Sequence, residues 1–254
     1  MLPANFIFSQ SNLQNYVDCK QRFYLEHIIH LEWPANQSEP VLLQEERMAI
    51  GSEFHLLCNQ FFCGIPAEAI RESISNVQLL QWWDSFLALG LTPGPNAFSE
   101  KTITIPFHGY RLIAKYDLLV REERNKYTIF DWKTNAKRPS LSSVQNKMQS
   151  IVYPVALWSF LKLLPGDEDQ NFNIEMSYWY PEFPDQPHRF HSSLELIKHQ
   201  ETELLELIYK ISETPPDGFF LTDEVKKCAY CHYRSYCNRG QNAGKFDEER
   251  FTEE

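Results

Sequence analysis

Asp117, Asp131 and Lys133 are the residues of this chain whose types and spacing best suit chemistry. In Lys-Tyr-Thr-Ile-Phe-Asp-Trp-Lys, residues 126–133, the β-branched and aromatic side chains predict a strand. Side chains alternate faces along a strand, so Asp131 and Lys133 project from the same side. The preceding segment, residues 110–120, alternates too: Tyr110, Leu112, Ala114, Tyr116 and Leu118 on one side, Arg111, Lys115 and Asp117 on the other. The polar run 121–126 between them reads as a hairpin turn, which would bring Asp117, Asp131 and Lys133 to one edge. Two carboxylates and an ammonium there suit a hard divalent cation and a phosphate. Phosphodiester hydrolysis needs such a cation at the scissile phosphate and a positive charge near the nucleophile or the developing negative charge. By itself Asp-x-Lys is a common tripeptide, equally at home as an exposed ion pair, so the surrounding elements must carry the specificity.

Those elements read as follows. Ser9 or Ser11 caps a helix running to about Ile29, with Cys19 in its middle. The segment 31–40 holds two prolines and reads as a loop. A second helix, about Leu42 to Phe62, carries Gly51 and His55 on one face; a glycine at that position points to close approach of another element. Residues 67–89 form one or two helices rich in apolar side chains, with Trp82 and Trp83 expected in the core. Residues 98–107 are a strand, His108-Gly109 a tight turn, and the two strands above complete a three-stranded meander. Ser142 and Gln145 form a capping-box pair opening a long helix to about Leu164, with Gln149 and Tyr153 on one face. Residues 171–180 and 187–191 are further strands, and Ser192 with Glu195 starts a helix to about Ser212. Glu53 reads as a surface carboxylate, and Glu100, at the start of the first strand, as an exposed strand end in preference to a group that supports the site from behind.

A histidine on an early helix (Gly-Ser-Glu-Phe-His, 51–55), an aspartate on a strand (Ala-Lys-Tyr-Asp, 114–117), Asp-Trp-Lys-Thr (131–134) and Gln-Ser-Ile-Val-Tyr (149–153) follow one another in this order. The arrangement resembles the RecB-like branch of the PD-(D/E)XK nuclease superfamily, over about residues 6–240. The resemblance implies that His55, Asp117 and Asp131 ligate Mg²⁺ or Mn²⁺, that Lys133 assists the attacking water, and that Gln149 and Tyr153 contact DNA or order the site. Ala114 stands where the family usually has glycine, and Tyr116 where a proline or apolar residue often precedes the aspartate; neither change removes a ligand.

Cys228, Cys231 and Cys237 place three thiols within ten residues. A four-ligand site needs one more, and Cys19 is the candidate. One cysteine early and three late resembles the [4Fe–4S] arrangement of CRISPR-associated RecB-type exonucleases and AddB-type helicase–nucleases. Spacing does not separate iron–sulfur from zinc, for which His232 is a further possible ligand. Cys58 and Cys63 read as ordinary buried thiols.

With 254 residues, 43% hydrophobic and 23% charged, the chain suits one globular domain, residues 1–240, followed by an acidic, disordered tail at 241–254. No run approaches the roughly 18 apolar residues of a membrane span, and the start lacks the pattern of a signal peptide, so a cytoplasmic protein is expected. The net charge of −10 disfavours broad binding to a polyanion. Two stretches escape it: 133–147 and 226–239 each carry four basic residues and no acid. Lys137, Arg138, Lys147 and Arg234 are therefore the expected DNA contacts. The fold expected is α/β and restriction-endonuclease-like: a mixed central sheet flanked by helices, its helical N-terminal part joined to the cysteine-rich end by a metal cluster. The function expected is a metal-dependent exonuclease on single-stranded or end-bearing DNA, in repair, recombination or CRISPR adaptation, with DNA and proteins of those pathways as the partners to look for. The competing reading is a non-catalytic DNA-binding or assembly module on the same fold.

Overall fold

The computed structural model describes residues 2–3, 5–34, 39–123, 125–164 and 172–240; the acidic stretch 241–254 lies outside them. The apolar alternation read from the sequence folds into one mixed sheet of β1 (Phe8–Ser9), β2 (Ala97–Phe107), β3 (Tyr110–Glu123), β4 (Lys126–Trp132), β5 (Asn173–Trp179) and β6 (His188–Ser192). The expected meander is present: β2, β3 and β4 pair antiparallel in succession. His108 and Gly109, both at positive φ, close the first turn as a tight hairpin requires. β5 runs parallel to β4, and β6 returns antiparallel to β5.

The long strand β3 is the sheet's spine. β2 occupies one of its edges along nearly the whole length. The opposite edge is shared: β1 takes it at Leu112 and Ile113, and β4 from Leu118 onward. Residues 114–117 therefore face a gap between two partner strands, and Asp117 stands at its border.

Helices cover both faces. On one lie α1 (Gln10–Asp18), α7 (Met148–Lys162) and α8 (Leu194–Glu213), enclosing a core that includes Phe23, Ile105, Leu112, Tyr116, Ile129, Val152, Leu157 and Ile208. On the other lie α3 (Glu39–Phe62), α4 (Ala67–Ser73) and α5 (Val77–Leu87), around a second core dominated by aromatics: Phe54, Trp82, Trp83, Phe86, Trp132 and Trp179. Both tryptophans of the 82–83 pair are buried, as expected.

Four helical expectations need correction. The helix from Ser9 does not continue to Ile29: α1 stops at Asp18, Cys19 adopts extended backbone (φ −162°), and α2 (Lys20–Phe23) with a π-helical turn, Tyr24–Ile28, follows. The segment before α3 is helical from Glu39. Ser142 and Gln145 do not open the long helix; Ser140 caps a short α6 (Leu141–Gln145), and α7 starts separately at Met148. The last helix is capped by Ser193, one residue later than expected.

Gly51 shows why the docking of α3 is close. A Cβ there would lie 2.6 Å from the Thr134 hydroxyl, just beyond β4. Alanine in a helix interior is favoured over glycine by about 1 kcal/mol, so contact and propensity oppose each other. Gly51→Ala should lower the chemical-denaturation midpoint in the wild-type background. In a Thr134→Ala background the same change should raise stability by up to about 1 kcal/mol. Equal effects in both backgrounds would mean that α3 is not held off by Thr134.

Candidate active site

The β3–β4 ladder runs from Glu123–Lys126 to Leu118–Phe130 and stops. Where the next pair would be, Asp117 and Asp131, the strands part. The Trp132 N–H, which the ladder no longer serves, donates instead to Asp117 Oδ2 at 2.8 Å. This bond fixes the Asp117 carboxylate with Oδ1 turned toward α3, where it lies 3.4 Å from His55 Nδ1.

The β2–β3 register is also interrupted here. It is continuous from Ala97–Val120 to Phe107–Tyr110 except for one missing pair, Glu100 opposite Asp117. Glu100 has φ +51°, a left-handed conformation uncommon for a residue with a side chain. The irregularity turns its carboxylate inward, and His55, Glu100 and Asp117 bring their ligand atoms within 4.8 Å of one another. Glu100 thus joins the site, correcting its reading as an exposed strand end. Sequence reasoning missed it because register and backbone angle, not residue spacing, place it there. Lys115 is ion-paired with Glu100 and competes with any other cation for that carboxylate.

Asp131 lies beside this group, buried and differently engaged. Lys133 Nζ is 2.7 Å from Asp131 Oδ2, and the same ammonium donates to Gln149 Oε1 at 2.8 Å. The Gln149 amide in turn donates to Asp131 Oδ1. One glutamine therefore holds both the acid and the base of Asp-x-Lys. Lys133 also sits over the Tyr178 ring, 5.3 Å from its centroid. Tyr153, expected to contact DNA or order the site, is buried; its ring packs edge-on against Tyr116, whose hydroxyl donates to the Tyr153 carbonyl. Its place is among the supports of the site.

Electrostatics follow from burial. Asp131 is pushed up to about 6, first by burial and further by the charge of Asp117, against the pull of Lys133. Burial works against a charged His55, but the hydrogen bond and charge of Asp117, with the charge of Asp131, outweigh it and raise the imidazole. An oxygen-rich group with one imidazole suits a divalent cation of the Mg²⁺ or Mn²⁺ kind.

Two clefts meet at this place, both bordered by Met48 and Thr134. One, about 650 Å³, holds His55, Glu100, Lys115 and Asp117. The other, about 580 Å³, holds Lys133 and Gln149 and is lined by Arg47, Lys137 and Lys147, with no acidic side chain. Lys137 and Lys147 thus border this basic cleft. Arg138 and Arg234 do not. Arg138 donates to the Gln186 carbonyl and to His188 Nδ1, both at 2.7 Å, tying the loop after β4 to the start of β6. Arg234 is only 3% exposed, within the cysteine-rich end, so as a DNA contact it is corrected.

The four cysteines expected to act together line one small pocket: Cys19, Cys228, Cys231 and Cys237. All four are free thiols. Burial first, and then the neighbouring thiols, raise Cys228 and Cys231 and push Cys237 up to about 11. Such mutual repulsion of thiolates is what a bound cation relieves. The extended backbone at Cys19 breaks the helix so that this thiol meets the other three. His232 is not among the pocket's lining residues. Cys58 is buried as expected, whereas Cys63 is exposed, a correction.

A profile described as the PD-(D/E)XK nuclease superfamily matches residues 7–238. No curated protein matches the chain. Among solved structures, the protein SSO0001 shares 16% identity over 93% of this chain and 87% of its own, with a TM-score of 0.43. A protein from Eubacterium rectale, named as an exonuclease by inference only, shares 10% identity over 84% of this chain and 82% of its own, with a TM-score of 0.46.

The raised pKa of Asp131 has a measurable consequence. The folded state holds this proton more tightly than the unfolded chain, where an aspartate titrates near about 3.9. Stability is therefore lost as pH rises from about 4 to about 6 and the loss persists above, by up to about 3 kcal/mol. In chelator-treated protein, Asp131→Asn should raise the denaturation midpoint at about pH 7.5 and leave it unchanged at about pH 4. A variant destabilised at the higher pH would show that the carboxylate is a net support of the fold.

Proposed function

Since this chain belongs to the PD-(D/E)XK nuclease superfamily, we propose that it is a metal-dependent deoxyribonuclease acting on single-stranded or end-bearing DNA, as an exonuclease in repair, recombination or CRISPR adaptation. The observation that carries the reading is the junction of two differently equipped sets: His55, Glu100 and Asp117 within 4.8 Å of one another, and the Lys133–Asp131–Gln149 network beside them.

His55, Glu100 and Asp117 would hold the cation, with Asp131 next to them. A divalent ion there supplies the positive charge that a phosphodiester needs at its reacting oxygens. The imidazole among the ligands favours Mn²⁺ over Mg²⁺. Lys133 is placed to do the rest because Asp131, Gln149 and the Tyr178 ring hold its ammonium at the boundary of the two clefts. From there it can orient the attacking water by hydrogen bond and neutralise charge that develops on the phosphate. Arg47, Lys133, Lys137 and Lys147 make the second cleft locally positive in a chain of net charge −10, which answers the objection from overall acidity. Clefts of this size fit a strand or a frayed end better than an intact duplex.

The four thiols would hold a [4Fe–4S] cluster. Among the described residues, the only ligand-type groups of three or more within 4.8 Å are His55, Glu100 and Asp117. No three of the thiols therefore lie within 4.8 Å of one another, whereas Zn–S bonds of about 2.3 Å to a single ion would hold them roughly 4 Å apart. A cuboidal cluster, with one thiolate on each of its irons, accepts a wider spread.

Labelled single-stranded DNA incubated with Mn²⁺ should be degraded, and Lys133→Ala should slow this by about a hundred- to a thousand-fold. Glu100→Gln should raise the Mn²⁺ concentration needed for half-maximal rate by about tenfold or more. No metal-dependent cleavage of any substrate by the wild type would favour a DNA-binding or assembly module. Anaerobically purified protein should be brown, with visible absorption that Cys19→Ala abolishes; a colourless protein carrying stoichiometric zinc would reverse the cluster assignment.

A further inference from the structure

Tyr180, directly after β5, lines the basic cleft. The residue is 0% exposed, and its hydroxyl meets no hydrogen-bond partner among the described residues. Its ring is fixed edge-on against His188, which is itself held by Arg138 and the Pro139 carbonyl. Burial pushes the phenol up to about 12, so it keeps its proton at any working pH. A buried hydroxyl without a partner costs stability, where phenylalanine would fill the same space at no such cost. Lys137 and Lys147 border the same cleft, and no carboxylate lines it.

We propose that Tyr180, Lys137 and Lys147 form a phosphate subsite for the nucleotide next to the scissile one, in which the entering strand displaces the side chains that close over the Tyr180 hydroxyl and the hydroxyl donates to a non-bridging oxygen. The inference rests on the nuclease reading and deepens it. The two lysines bring the backbone into the cleft, and the rigid phenol sets how far along it the strand settles. Lys133 then meets one phosphate and Tyr180 the neighbouring one. Tyr180 is a binding and positioning residue; the chemistry stays with the groups around Asp117 and Lys133.

The two halves of the argument predict effects of opposite sign in one variant. Tyr180→Phe should raise the melting temperature of the free protein by roughly 2–4 °C, because an unpartnered hydroxyl is removed. The same variant should bind a short fluorescein-labelled oligothymidylate about five- to tenfold more weakly in chelator, by fluorescence anisotropy. An abasic strand of equal length should show the same loss, since the contact is to phosphate. Ser177→Ala, which also removes a buried hydroxyl without a partner, though outside the cleft, should leave binding unchanged. Unchanged binding by Tyr180→Phe, with a wild type that binds and cleaves, would overturn the subsite and spare the nuclease reading; so would a loss confined to strands that carry bases. A wild type that binds no oligonucleotide would overturn both.

Discussion

The hydrogen bond from the Trp132 amide to Asp117 Oδ2 is the contact on which the active site depends. Two antiparallel strands that part company leave backbone donors and acceptors unserved, and in a buried place each costs free energy. Here the side chain of one strand takes over the backbone donor of the other. The fork becomes a stable structure, and the price of the missing ladder rung is met by a carboxylate that must also face the cleft. Because the bond runs from backbone to side chain, it sets the orientation of Asp117 as rigidly as it sets the strand separation. The Glu100 irregularity on the other neighbour of β3 falls opposite the same residue. Both interruptions of the sheet thus coincide with the place where charges are needed.

Around this fork the two cores deliver the remaining groups from opposite faces. The aromatic core under α3 fixes Phe54 among Trp82, Phe86 and Trp179, and His55 follows it in sequence toward Asp117. Gly51 lets the same helix come down onto Thr134. From the other face, α7 brings Gln149 to the Asp131–Lys133 pair. Asp131 is buried enough to resist ionisation, and Lys133, the Gln149 amide and the charge of His55 are what work against that resistance. The site is therefore poised to receive positive charge.

How much of this could be read from the chain alone depended on what kind of information each feature carries. Asp117, Asp131 and Lys133 were legible from residue type and strand period, whereas His55 and Gln149 entered through the family resemblance, because one histidine or one glutamine on a helix carries no signal by itself. The four cysteines were legible from spacing and count, and they do line one pocket. Glu100 was not, because a positive φ and a skipped rung leave no trace in composition. The break at Cys19 was hidden for a related reason: the apolar spacing of a helix continues through it, and one residue of extended backbone leaves no mark in that spacing. Arg234 misled because a basic stretch was taken as a surface. Ser142 misled because three serines within four residues offer more than one cap, and the one that fits, Ser140, precedes it.

The cysteine-rich end and the active site look like separate devices, but α1 joins them. Cys19 terminates α1, and its thiol lines the same pocket as the last cysteines, so segments some two hundred residues apart in the chain meet there. Tyr233 donating to the Leu31 carbonyl and Trp33 donating to Ser235 join the same two segments. One turn back along α1, Gln14 accepts from the backbone N–H of Met148, the first residue of α7. That helix has no cap from its own N-terminal residue, Lys147, so Gln14 satisfies one of its orphan donors from another element. Met148 immediately precedes Gln149. The register of α7, and with it the reach of Gln149 to Asp131 and Lys133, is thereby held by a helix whose far end is anchored at the thiol pocket. Loss of order at the cysteines would act on α1 first, then on the start of α7, and only through these on the acid and base of the site.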